Sequence, residues 1–139
     1  MIREKRPDYR NALSMVEAAN REMQFTLKMP VNLEFASTII RNIYENFRML
    51  GDALLVSKGK IITDHVECIN ELTKLNAKTP RPLGILDNLR TLRHNINYYG
   101  YMPSLKEVKD AISIVKSCFD VLYNKVKKEV LSNDRNALV

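Results

Sequence analysis

The sequence predicts an all-α fold, an up-and-down four-helix bundle with a broken third helix. Three observations lead there. Apolar residues recur in steps of three and four along four long segments, which is the helical period. No segment alternates with period two for long enough to make a convincing strand, and Ile61-Ile62 is too short to count as one. With only 4 glycines and 5 prolines, the chain lacks the turn residues that an all-β protein or a disordered segment would need.

A length of 139 residues predicts one domain, long enough to bury roughly two-thirds of its unfolded surface. Residues 1–7 and 132–139 are expected to be frayed tails. The first helix should start at Asp8, a good N-cap after Pro7, and carry the stripe Tyr9, Ala12, Val16, Ala19, Met23 and Leu27. Pro30 should end it. The second, with Asn32 as cap, repeats Leu33, Ala36, Ile40, Ile43, Phe47, Leu50 and Leu54. Ile39 and Tyr44 widen this stripe, which implies packing against more than one neighbour. Gly59 suits the left-handed position after its end.

The third element is interrupted. Asp64, with Glu67 as capping-box partner, should start a short helix that turns Val66, Ile69, Leu72 and Leu75 inward. Thr79-Pro80-Arg81-Pro82 breaks it. Helix should resume near Leu83, carry Leu86, Leu89, Leu92 and Ile96, and end at Tyr98-Tyr99-Gly100. A capping box of Ser104 and Glu107 opens the last helix, whose stripe is Leu105, Val108, Ile112, Val115, Phe119, Leu122, Val126 and Val130.

Composition narrows the function classes. The net charge of +6 fits a nucleic acid or another polyanion as partner, but the Lys and Arg are dispersed, which suits an ordinary basic surface equally well. Cys68 and Cys118 lie at apolar helical positions and read as buried free thiols. The charged stretch Met1 to Arg10 lacks a signal-peptide core, and no apolar run approaches the roughly 20 residues that span a bilayer. A soluble, cytoplasmic protein without membrane contact is therefore expected.

Metal and cofactor chemistry find no pattern. Bundle metal sites use Glu-x-x-His pairs, and none occurs; a closed zinc site would need both histidines and both cysteines to converge. Gly51, Gly59, Gly84 and Gly100 are isolated, without a phosphate-binding loop. No metal and no cofactor is expected. His65 reads as a half-exposed residue at a helix start, where the dipole disfavours its charged form.

The distinctive stretch is Leu89 to Gly100, LRTLRHNINYYG. Arg90, Arg93 and Asn97 share one side of the helix, next to the apolar side. Arginine can bond two phosphate oxygens at once, and Tyr98 and Tyr99 could stack on unpaired bases. The same residues also admit a plain surface role, with Arg90 and Arg93 paired to Asp87 or Glu107 and the tyrosines closing the core.

At these residues the chain resembles the HEPN family, the higher eukaryotes and prokaryotes nucleotide-binding domains, over roughly Ala12 to Val130. Ala36 to Leu55 looks like the family's second helix, Leu89 to Tyr99 like its motif helix and Ser104 to Val130 like its closing helix. The family motif is an arginine, an adjacent polar residue and a following histidine. Arg93 and His94 match the first two, while Tyr98 stands where the histidine is expected, and no histidine follows His94.

The resemblance implies a homodimer that binds RNA or a nucleotide through Arg90, Arg93, His94, Asn97, Tyr98 and Tyr99. It also implies a toxin–antitoxin setting, with a nucleotidyltransferase or antitoxin as partner. Active relatives are metal-independent endoribonucleases, in which Arg93, His94 and Tyr98 would be the catalytic set. Tyrosine, with an ordinary pKa near ~10, is a poor base at neutral pH, so weak or absent catalysis is expected.

Overall fold

In the computed structural model, which describes residues 2–4, 6–62 and 65–133 (side chains at 6–60 and 66–133), the chain is all-helical in class. Helix α1 spans Tyr9–Thr26, and the Asp8 carboxylate accepts the Asn11 N–H at 3.0 Å, as its cap position predicts. Ala12, Val16, Ala19 and Met23 are fully buried.

Helix α2, Ala36–Ser57, begins one turn later than expected. Asn32 does cap, accepting the Phe35 N–H at 3.0 Å, but Ala36 N–H still bonds back only to Leu33. The regular ladder starts when Ile39 N–H reaches the Phe35 carbonyl at 2.9 Å, so Leu33 stays outside the helix and exposed. The wide stripe is real. Ile39, Ile40, Ile43, Tyr44, Phe47, Leu50 and Leu54 are all buried, and α2 is the helix around which the others pack.

Gly59, at φ 75°, turns the chain out of α2. Lys60–Ile62 then forms strand β2, antiparallel to strand β1, Ile2–Glu4, with Arg3 opposite Ile61. Ile61-Ile62, read from the sequence as loop, is thus part of a strand, and its partner Ile2–Glu4 comes from within the expected N-terminal tail. The pairing joins segments nearly sixty residues apart, and a three-residue strand is too short to leave a period in the sequence. The Asp8 N–H, bonded to the Val56 carbonyl at 3.3 Å, holds the two segments side by side.

Helix α3 spans His65–Thr73 and buries Cys68, Ile69 and Leu72. Its expected cap, Asp64, and the side chain of His65 lie outside the described residues. Glu71, only 7% exposed, is held by Lys58 Nζ at 3.0 Å and Lys74 Nζ at 3.2 Å. Burial pushes its carboxyl pKa up, but the two lysines outweigh burial and hold it below its ordinary value. The pairs therefore stabilise the fold above the ordinary carboxylate range, and that contribution fades as pH falls through the depressed value. Urea unfolding should show wild type more stable than Glu71→Gln at neutral pH, with the two curves converging on acidification.

Helix α4 covers Ile85–Tyr99. It too starts late, because Ile85, Leu86 and Asp87 bond three residues back and make a tight entry turn over the predicted start at Leu83. Leu86, Leu89 and Ile96 are buried. Gly100, at φ 64°, ends the helix, with its own N–H and that of Tyr101 directed at the Asn95 carbonyl.

The predicted capping box opens α5, Leu105–Ile114: Ser104 Oγ accepts the Glu107 N–H at 3.1 Å, and Glu107 accepts the Ser104 N–H at 2.9 Å. A π-helical turn, Val115–Phe119, then leads into α6, Asp120–Asn133. The wider turn takes in one extra residue and rotates the buried stripe. Val108 and Ala111 face inward before it, Val115, Cys118 and Phe119 within it, and Leu122, Val126 and Val130 after it. Leu105 is consequently exposed and Ile112 lies at the core's edge, contrary to a stripe drawn with uniform period.

Taken in chain order, the long helices α1, α2, α4 and α6 alternate in direction. Asp8 meets Val56 while Asn42 reaches Met29, so α1 runs antiparallel to α2. Asn97 meets Arg41 and Arg93 meets Tyr44, so α4 does the same. Phe47 packs edge-on to Phe119 at 5.5 Å and Asn133 bonds Ser57, so the π turn and α6 run parallel to α2. Among the described residues, no helix is long and apolar enough to cross a membrane.

Candidate functional site

The helical turn between Arg93 and Asn97 places both on the side of α4 that faces α2. The Arg93 guanidinium lies 4.9 Å from the centre of the Tyr44 ring, a cation–π contact at the rim of the core. One turn on, Asn97 Oδ1 accepts a hydrogen bond from Arg41 Nε at 2.6 Å. Arg90 bonds Asp87 within its own helix at 2.9 Å, which is the plain surface pairing that the sequence also allowed. Glu107, the other candidate acid, instead accepts from the Tyr101 hydroxyl at 2.7 Å and from Ser104.

His94 projects about 100° around the helix from Arg93. Its ring packs against Tyr98 at 4.6 Å and against Tyr99 at 5.7 Å. Tyr98 and Tyr99 are 68% and 76% exposed, so they do not close the core. Tyr101, Met102 and Leu105 continue this exposed apolar surface past the helix end. The six expected residues thus form two adjoining groups: Arg93 and Asn97 against α2 with Arg90 behind them, and His94, Tyr98 and Tyr99 facing outward.

Sequence reasoning missed three contributors from α2. Arg41, Tyr44 and Arg48 recur in steps of three and four beside the apolar stripe of α2, and that spacing was the available signal. Arg48 pairs with Glu45 and lies 3.7 Å from Asp52. Tyr44 is buried, and among the described residues its hydroxyl has no hydrogen-bond partner. Burial raises its pKa, opposed by the positive charges of Arg93, Arg90 and Arg48. The phenol therefore sits neutral beneath a cluster of guanidinium groups.

An unpaired buried hydroxyl costs stability, so Tyr44→Phe should leave the melting temperature unchanged or raise it. A loss of more than about 1 kcal/mol in denaturant unfolding would mean that the hydroxyl has a partner.

Both cysteines are buried free thiols, as expected. Burial pushes the Cys68 pKa up to about 11, which leaves the thiol unreactive at neutral pH. No group of three or more His, Cys, Asp or Glu that could hold a metal ion occurs among the described residues.

Fold and site together define an all-helical protein that carries an arginine–aromatic face on two antiparallel helices. No protein-family model, curated protein or solved structure matches this chain.

Proposed function

We propose that the chain is a HEPN-like four-helix bundle that binds RNA through the α2–α4 face, as a homodimer and with little or no catalysis. The observation that carries this reading is Arg93 lying over buried Tyr44, with Arg41 and Asn97 beside it and two exposed tyrosines one turn away. Guanidinium groups suit phosphate oxygens, and exposed tyrosine rings suit unpaired bases. The exposed apolar end formed by Tyr99, Tyr101, Met102 and Leu105 supplies a surface for the second copy.

Weak catalysis follows from the side chains present. Metal-independent RNA cleavage needs a base at the 2′-hydroxyl and a cation at phosphorus. His94 is the histidine at hand, and its ring is packed against Tyr98 and Tyr99, around the helix from Arg93. Titration of a fluorescent single-stranded RNA in chelator tests both parts. Saturable, salt-sensitive binding with the RNA left intact is expected, and an RNA that does not bind at low salt defeats the proposal.

A further inference from the structure

A second surface lies away from this face. Between α5, the π turn and the segment around Pro80 is a groove of about 560 Å³. Its floor is apolar, made by Val31, Pro80 and Ile112. Lys109 and Lys116 flank it, with the Ser113 hydroxyl between them. Among the described residues, no carboxylate and no aromatic ring lines it. Asp110, the acid next to Lys109, bonds Arg81 at 3.1 Å and lines the neighbouring cleft between α4 and α5. The lysine charges are therefore not neutralised from within the groove.

We infer that this groove docks an acidic amphipathic helix of a partner protein. Lys109 and Lys116 are two turns apart, about 10 Å along the helix at 1.5 Å per residue. A docked helix would match them with carboxylates two turns apart, and would set an apolar side chain between these onto Val31 and Ile112. The charge pattern favours an anion, and the apolar floor favours one with a hydrocarbon face. The lack of a ring on which a base could stack turns the choice from RNA to protein. Lys116 belongs to the π turn, and such turns recur at functional sites.

The test uses the whole chain and a fluorescein-labelled helical peptide of fifteen residues, with leucines along one face and glutamates two turns apart. Fluorescence anisotropy should show saturable binding, weakened at least tenfold by Lys109→Glu with Lys116→Glu. Both lysines are exposed, so helicity by circular dichroism should not change. A peptide with lysines in place of the glutamates should bind the double variant and not the wild type. Arg93→Ala should leave peptide binding unaltered, which separates this groove from the RNA face. Absence of saturable binding, equal binding by the double variant, or a twelve-nucleotide RNA that displaces the peptide would each overturn the inference.

Discussion

Gly51→Ala should be the most damaging single-methyl change in this protein, with a loss of about 3 kcal/mol and a melting temperature lower by roughly 10 °C. A Cβ at Gly51 would stand 2.0 Å from the Cys68 carbonyl oxygen and 2.6 Å from its carbon. Those atoms are backbone, so no side-chain rotation relieves the clash. Helix α3 would have to move away from α2, uncovering Cys68, Ile69 and Leu72. Because α1, α2, α4 and the closing helix keep their own contacts, far-UV helicity should fall only slightly while the unfolding midpoint drops. Gly84→Ala is the matched control. Its Cβ meets nothing within 4 Å and its φ of −56° suits any residue, so stability should hold or rise by about 0.5 kcal/mol. If Gly51→Ala melts within 2 °C of wild type, measured as a shift of roughly under 1 kcal/mol, the close contact of α2 and α3 is wrong.

Arg93→Ala should weaken RNA binding by about tenfold or more, the range of one charge-assisted hydrogen bond. The slope of log affinity against log salt should become shallower by roughly 0.7, one phosphate contact on a single strand. The stability cost should be modest, about 1 kcal/mol, because Arg93 leaves Tyr44 partly uncovered but empties no cavity in the core. Arg93→Lys separates charge from shape. Keeping the charge without the planar fork, it should recover the salt slope but only part of the affinity. Arg41→Ala should act in the same direction as Arg93→Ala, since Arg41 reaches the same face through Asn97. Unchanged RNA affinity in Arg93→Ala would remove the α2–α4 face as the binding site.

Much of the helical framework was legible before any coordinates, because its signals are local. Asp8 accepts from Asn11, and Ser104 and Glu107 close a box across three residues. Gly59 and Gly100 take left-handed backbone where the apolar stripes stop. Each of these depends on side chains within about one turn of each other, so a short window of sequence contains the whole interaction. The candidate arginines and tyrosines were legible for the same reason, as one dense stretch on a single helix.

What those residues touch was decided elsewhere. Arg93 lies on Tyr44, Asn97 holds Arg41 across 56 positions, and Gly51 meets the carbonyl of Cys68. The π turn left Ile112 at the core's edge and Leu105 exposed, and β1 found β2 from the far side of two helices. The sequence by itself determined where helices start, stop and turn their apolar sides, because caps and periodicity act over a few residues. Only the tertiary structure decided which sides meet and at what register, because that choice is made by packing between segments whose separation along the chain carries no local signal.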